Sequence, residues 1–521
     1  MDLSESNDDG RSLSDNGDHF GTEHLRSGLK KRALKGAGFS VFAQTLNYGI
    51  QTVGTIIMAR ILSPEDFGLV AMVAVFSILV QNFGLNGFTE AVIQQKELSP
   101  HQMSKLFWVN FLIMAGLTVL FVGLAPVIAW FYGEPVLKGI SLGLALSIIF
   151  SGLGTCHLAL MSRNMDFRQS AVAQVLGALI STIVGIGMAV SGSGYWSLVL
   201  RRVSLPLVTA IFAWLLCRWR PGIPAKGTDI RPMLMFGYKT YGNFLLSHVR
   251  NNLDKILVGK VFGKTPLGHY DRAYNLSSVL PNQLTIALTS VGISTLSRLT
   301  GDPPKYLSYF SKALSILCLV GFPGSILFTL LGKDIIYLLL GDQWSIAGKV
   351  FAALGPGIGV FVIYNTSVWL HISLGRPDRL LKWSVLVLVA SIVSYSLGLL
   401  FGPLGVAIAY SAMFYILLVP ALWYAGRPAG IKPSFYMAII WRYWTAAFAS
   451  GLLYWLAFQF VGPAADLYRG LHPFGRIAVG SVVYTALYLA VIIILFKGLR
   501  PLGTLIAALK GMFSPDLPEP R

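Results

Sequence analysis

The sequence predicts an all-α polytopic membrane protein with about 14 transmembrane helices. Of its 521 residues, 54% are hydrophobic and only 12% are charged, about half the charged fraction of an ordinary soluble domain. The mean hydropathy is +0.64, and long apolar runs follow one another along most of the chain. Because a membrane-spanning helix needs about 20 apolar residues, these runs are read as successive spans.

Glycine, proline and charge clusters separate the apolar runs and divide them into three groups. The first six predicted spans lie near 37–59, 67–93, 106–131, 137–160, 171–191 and 195–217. A second series of six lies near 233–260, 268–298, 311–331, 346–373, 380–400 and 402–426. The last two lie near 437–461 and 475–497.

This grouping predicts two six-helix lobes followed by two C-terminal helices. Residues 30–222 would form the N-lobe, 223–430 the C-lobe, and 431–500 helices 13 and 14. Residues 1–29 are polar and lack the apolar core of a signal peptide, so we expect a disordered cytoplasmic tail. Residues 501–521 form a second cytoplasmic tail in this interpretation.

The basic residues predict an orientation with both termini in the cytoplasm. The chain has 41 Lys and Arg residues, and most fall in segments that this orientation places inside. The connection from Ser191 to Gly194, which would lie outside, carries no charge.

The ends of the first and seventh spans have similar sequences. The segment from Ile57 to Gly68 and the segment from Leu257 to Gly268 share a cation, two apolar residues, a turn and an apolar–glycine pair in the same order. Both would run from inside to outside, so the repeat is parallel. Parallel repeats related by an axis along the membrane normal are a known transporter plan, with the substrate site between the halves.

Four cations inside predicted spans indicate a site: Arg201, Arg202, Arg250 and Lys255. A charge at the bilayer centre costs about 2.5–3.5 kcal/mol on insertion scales, so it usually faces a wet cavity or a partner. The alternative is that these side chains snorkel to the lipid headgroups. We expect a positively charged central cavity that binds substrate through these residues.

Three further residues have two interpretations each. Lys239 is either a substrate contact near the cytoplasmic end of its span or a snorkelling residue. Asp254 and Glu90 are candidates for coupling transport to a proton or cation. Asp254 is alternatively the ion-pair partner of Arg250, since the two lie at i and i+4, and Glu90 alternatively caps a loop.

The remaining chemistry-bearing residues favour neither an enzyme nor a cofactor protein. Cys156, Cys217 and Cys318 are widely spaced, and the histidines show no paired metal-ligand spacing. No basic groove with interleaved aromatic residues indicates nucleic acid, despite the net charge of +18. We therefore expect no catalysis, no cofactor, no metal and no nucleic-acid partner.

Several motifs resemble those of the Wzx-type flippases, the polysaccharide-transporter branch of the multidrug/oligosaccharidyl-lipid/polysaccharide exporter superfamily. They occur in order along both lobes: ARILSPEDFGLVAM at 59–72, FGLNGFTEAVIQ at 83–94, NMDFR at 164–168, GYWSLV at 194–199, RNNLDKILVG at 250–259 and LGHYDRAY at 267–274. The adjacent Arg201 and Arg202 are not part of the pattern of that branch.

The resemblance implies a flippase of the bacterial inner membrane. Such proteins move undecaprenyl-diphosphate-linked oligosaccharide repeat units to the outer leaflet by alternating access, for exopolysaccharide or lipopolysaccharide biosynthesis. It also implies membrane lipid, a polysaccharide polymerase and chain-length or export proteins as partners. The alternatives are a peptidoglycan-precursor flippase, a cation-coupled drug exporter and, in a different class, a membrane polysaccharide polymerase.

Overall fold

The computed structural model describes residues 29–94, 98–223, 231–460, 462–499, 501–503 and 506. Every regular element within these ranges is helical. The predicted tails at 1–29 and 501–521 lie outside the described residues, apart from Leu29 and the few C-terminal positions just given.

Sixteen α-helices and two short 3-10 helices, Asp342–Trp344 and Arg427–Ala429, make up the described elements. The α-helices are α1 (Leu29–Ile61), α2 (Pro64–Gln94), α3 (Pro100–Tyr132), α4 (Leu137–Arg163), α5 (Phe167–Val190), α6 (Tyr195–Cys217), α7 (Arg231–Phe262), α8 (Lys264–Arg298), α9 (Pro303–Leu340), α10 (Ser345–Tyr364), α11 (Thr366–Ser373), α12 (Pro377–Leu399), α13 (Gly402–Gly426), α14 (Pro433–Phe460), α15 (Gly462–Gly470) and α16 (Pro473–Phe496).

Ten stretches of the described helices are long and apolar enough to cross a membrane. They confirm a polytopic helical membrane protein, whereas the predicted number of 14 spans stays a prediction. The predicted span at 346–373 is interrupted at Asn365, which separates α10 from α11. The Asn365 side chain donates to Phe361 O (2.8 Å) and the Thr366 hydroxyl to Ile363 O (2.8 Å). Such hydrogen bonds from side chains to backbone carbonyls compete with the regular backbone hydrogen bonds of a helix.

The chain divides into two compact units, Met1–Asn252 and Leu253–Arg521. This boundary falls inside α7, and the lobe boundaries expected from the sequence stay a prediction. In the first unit, α4 packs against α2, α3 and α6. Small residues allow the close contact between α4 and α6, since a Cβ added to Gly154 on α4 would lie 3.2 Å from Ala210 Cα on α6.

The second unit packs in a corresponding way. Here α10 contacts α8, α9 and α13, just as α4 contacts α2, α3 and α6. Two serine hydroxyls form hydrogen bonds between these helices and α10. The Ser325 hydroxyl on α9 accepts from Gly359 N (3.0 Å), and the Ser411 hydroxyl on α13 accepts from Gly357 N (3.1 Å). The equivalent packing of successive helices supports the internal repeat seen in the sequence.

The repeated sequence segments form a helix–turn–helix in each unit. Between α1 and α2 the turn is held by Ser63, whose hydroxyl accepts from Asp66 N (3.2 Å) while its own N–H donates to the Asp66 carboxylate (3.0 Å). Between α7 and α8 the turn is made by Gly263 at φ 82°, where a side chain would be strained. Both copies of the repeat therefore contain a turn at the same place, but side-chain hydrogen bonds stabilise the first turn and a glycine forms the second.

The two long C-terminal helices pack within the second unit. Both α14 and α16 contact α9 and each other. Arg476 on α16 pairs with Asp334 on α9 (2.7 Å), and the Tyr488 hydroxyl donates to Leu319 O (3.2 Å).

Candidate functional site

Arg201 lies inside α6 and connects that helix to α1. Its guanidinium donates to the Thr55 hydroxyl (2.8 Å) and to Gln51 O (2.8 Å). Helix α5 leaves room for the Arg201 side chain at Gly185, because a Cβ added to that glycine would lie only 2.9 Å from Arg201 Cβ. Partners at this depth lower the cost of a buried charge. These contacts favour a structural role for Arg201, whereas the sequence analysis placed it among the substrate-binding residues.

Arg202 has a different environment although it is the next residue. It lines a half-open cavity of about 240 Å³ between α2, α4 and α6 within the first unit. Successive residues of an α-helix point about 100° apart, so the two arginines face different neighbours. Of the two, Arg202 is the one that faces space for a ligand.

Arg250 and Asp254 do not form the ion pair that their spacing allows. The Arg250 Nε donates to the side chain of its neighbour Asn251 (3.2 Å). Asp254 is 2% exposed, and its carboxylate accepts from the Tyr270 hydroxyl (2.8 Å) and from Lys255 N (2.9 Å). Asp254 therefore belongs to a network with α8 rather than to a pair along α7.

Lys255 has a carboxylate partner that the sequence analysis missed. Its ammonium pairs with Asp271 on α8 (2.9 Å), contacts Asn275 Oδ1 (3.4 Å) and lies 4.8 Å from the centre of the Tyr274 ring. Asp271 also pairs with Arg272. The counter-charge of Lys255 therefore comes from the facing helix α8.

Asp254, Lys255, Tyr270, Asp271 and Arg272 form one buried charged cluster, which we call the α7–α8 cluster. All five are less than a tenth exposed. Lys255 precedes Gly263 by as many residues as Asp271 follows it, so a hairpin centred on Gly263 brings the two side chains together. That symmetry was the sequence signal available, and using it required placing the turn between two antiparallel helices at Gly263.

Two predicted site residues cannot be described further. Lys239 lies in α7 and Glu90 in α2, and the side chains of both are outside the described residues. Among the described residues, no group of three or more His, Cys, Asp or Glu side chains is placed to hold a metal ion.

These features define a polytopic helical membrane protein with buried charge, and solved structures show the same fold. The structure described as lipid II flippase MurJ in an inward closed conformation aligns with a TM-score of 0.69 at 16% identity, covering 89% of this chain and 99% of the other. An inward-facing MATE-family multidrug resistance transporter of the MOP superfamily aligns at 0.59 with 12% identity, covering 75% and 94%.

The family model described as polysaccharide biosynthesis protein matches residues 57–349, more than half of the chain. The chain belongs to that family, and the resemblance to the polysaccharide-transporter branch is confirmed.

Individual relatives agree with this assignment. Lipopolysaccharide biosynthesis protein WzxC of Escherichia coli K12 is 24% identical over 323 residues, 61% of this chain and 65% of WzxC. That match spans just under two thirds of the length of WzxC. Succinoglycan biosynthesis transport protein ExoT of Rhizobium meliloti is 23% identical over 398 residues, 76% of this chain and 79% of ExoT.

Proposed function

We propose that this protein flips undecaprenyl-diphosphate-linked oligosaccharide repeat units across the bacterial inner membrane by alternating access. The observation that carries the proposal is that a member of the polysaccharide biosynthesis family has the fold of a lipid II flippase. The product would feed exopolysaccharide or lipopolysaccharide synthesis, with a polymerase and chain-length or export proteins acting on it afterwards.

The physical problem of such transport is the polar part of the cargo. Sugar hydroxyls lose their water in the hydrocarbon core, and each unsatisfied polar group there costs several kcal/mol. The isoprenoid tail is apolar and therefore stays in the hydrocarbon core of the membrane. A flippase must therefore supply polar and cationic groups along the path of the sugars and the diphosphate.

Arg202 and Arg250 are the proposed substrate contacts that agree best with the structure. Both are partly exposed, Arg202 lines a cavity, and Arg250 bonds to a neighbouring amide rather than to a carboxylate. Lys239 stays a proposed contact from the sequence. Lys255 is proposed to act within the α7–α8 cluster, through Asp271, rather than by direct contact.

Asp254 is the proposed coupling residue with the stronger structural support. Its carboxylate is buried and accepts a hydrogen bond from the Tyr270 hydroxyl. Glu90 stays a second proposal from the sequence, and the coupling ion is left open.

The proposal is tested with a deletion strain complemented by the wild-type gene or by an Arg202→Gln variant. We expect the deletion to accumulate polyprenyl-diphosphate repeat units on the cytoplasmic side and to lose surface polysaccharide. Repeat units that reach the outer leaflet but stay unpolymerised would favour a polymerase instead. Unchanged polysaccharide with altered drug sensitivity would favour a drug exporter.

A further inference from the structure

Arg442 is a cation on a helix face that is otherwise apolar. Between residues 437 and 456 of α14, every other exposed side chain is apolar. The larger ones include Met437, Trp441, Trp444, Phe448, Leu452 and Leu456. A helix of a membrane protein that is apolar on its exposed side as well as on its packed side faces lipid there. Arg442 therefore contacts the membrane rather than the protein interior.

The Arg442 guanidinium contacts two aromatic rings. It lies 5.5 Å from the centre of the Trp441 ring on its own helix and 5.2 Å from the centre of the Phe496 ring on α16. Among the described residues, none accepts a hydrogen bond from this guanidinium and no carboxylate pairs with it. Cation–π contacts of this kind leave the N–H donors of the guanidinium for an anion.

The two helices that hold this guanidinium supply no counter-charge. Neither α14 nor α16 contains an aspartate or a glutamate. Lys497, which directly follows Phe496, is a second exposed cation, and no described carboxylate pairs with it. A cation at the C-terminal end of α16 suits the helix dipole, but Arg442 is the tenth residue of α14 and has no such role. The two cations together favour an anion from outside the protein.

The position of the guanidinium corresponds to the surface of the membrane. Phe496 is the last residue of α16, so Arg442 reaches the level at which that helix ends. Exposed tryptophans such as Trp441 and Trp444 are typical of the boundary between hydrocarbon and headgroups. A long side chain on a helix leans toward the helix N-terminus, and α14 begins on the cytoplasmic side in the predicted orientation. The anions at that level are the phosphates of the inner leaflet.

We infer that Arg442 and Lys497, with the rings of Trp441 and Phe496, bind the headgroup phosphate of an anionic phospholipid such as phosphatidylglycerol. We call these four residues the α14–α16 basic patch. The planar guanidinium matches two oxygens of one phosphate, and Lys497 attracts the remaining negative charge. A zwitterionic lipid binds less well, because its own ammonium is repelled by the two cations. The patch is separate from the proposed transport of sugars and does not depend on it.

Protection of a nearby cysteine tests the patch. Ala438 is exposed and lies one turn before Arg442 on the same face of α14. Ala438→Cys in the full chain, purified in a neutral detergent, is labelled with a maleimide while short-chain lipids are added. Short-chain phosphatidylglycerol should slow the labelling, whereas phosphatidylcholine with the same chains should not. The native cysteines are buried, and the chain without Ala438→Cys measures their background.

Charge variants assign the protection to the patch. Arg442→Gln should raise the phosphatidylglycerol concentration for half-protection about fivefold, the usual effect of one basic residue near an anionic membrane surface. Lys497→Gln, at an exposed helix end, should shift it in the same direction and provides the test if Arg442→Gln does not fold. The control is Arg298→Gln, which removes an exposed cation at the end of α8 and should leave the half-protection concentration unchanged.

Four results would overturn the inference. Equal protection by the two phospholipids would show unspecific coverage by lipid, and an unchanged half-protection concentration in both patch variants would separate the protection from the cations. A failure of the maleimide to react in detergent alone would show that protein covers the patch. Protection by a short-chain polyprenyl diphosphate at lower concentration than phosphatidylglycerol would assign the patch to the path of the cargo instead.

Discussion

At the scale of single residues, the adjacent arginines Arg201 and Arg202 have different surroundings. Arg201 bonds to a hydroxyl and a carbonyl of α1, while Arg202 lines the cavity. The same substitution at the two positions should therefore have different consequences, which makes each variant the matched control of the other.

We predict that Arg201→Gln lowers the stability of the purified protein more than Arg202→Gln does. Removing the Arg201 guanidinium deletes its two hydrogen bonds to α1, although Gln51 O keeps the Thr55 hydroxyl as a donor, and a hydrogen bond to a charged group contributes about 1.5–3 kcal/mol. Thermal unfolding in detergent measures the difference. Equal midpoints for the two variants would contradict the structural role of Arg201.

The α7–α8 cluster makes a second prediction at this scale. Asp271→Asn leaves Lys255 and Arg272 buried without their carboxylate, and breaking a buried pair by removing one partner costs about 3–5 kcal/mol. We expect a clear fall in the unfolding midpoint. The exposed pair of Lys305 with Asp302 is the control, and Asp302→Asn should have little effect.

A double variant separates charge from packing in that cluster. Lys255→Met with Asp271→Leu removes both charges at nearly constant volume, and such replacements are often neutral or stabilising. We expect it to recover the part of the stability lost in Asp271→Asn that is due to Lys255, since Arg272 still lacks the Asp271 carboxylate. A double variant as unstable as the single one would show that the loss in Asp271→Asn does not come from the uncompensated Lys255.

At the scale of helices, the packing of α9 against α10 depends on a glycine contact. A Cβ on Gly359 would collide with Gly321 O and with the Ser325 hydroxyl that binds Gly359 N. The helices can approach this closely only because neither position has a side chain.

We predict that Gly359→Ala destabilises the protein by about 1–3 kcal/mol, the usual cost of overpacking. Gly324→Ala on α9 is the control, since a Cβ there has nothing within 4 Å and alanine favours the helix. Thermal unfolding of the two variants measures both. A neutral Gly359→Ala would show that α9 and α10 can separate at little cost.

At the scale of the whole molecule, the sequence predicted what depends on local pattern. Apolar runs identified the membrane class, and the match between Ile57–Gly68 and Leu257–Gly268 identified the repeat that the two units share. The site was less predictable. Spacing along α7 suggested Arg250 with Asp254, but the partners of Asp254 and Lys255 lie on α8, and contacts across helices are not encoded in the spacing of one helix.

The last prediction concerns orientation, which the fold alone leaves open. Ser191 ends α5 in a connection without charge, while Thr300 follows α8 beside Arg298 and Lys305. Because basic residues are retained in the cytoplasm, Ser191 should face outside and Thr300 inside.

Single cysteines at these two exposed positions test the orientation. In intact spheroplasts, a membrane-impermeant maleimide should label Ser191→Cys, and it should label Thr300→Cys only after lysis. The buried native cysteines give little background. The reverse pattern would place both termini outside and would invert the direction of transport proposed for the lipid-linked sugar. Three predicted spans lie between Ser191 and Thr300, so the two positions should be on opposite sides of the membrane. Labelling of both positions in intact spheroplasts would contradict that arrangement.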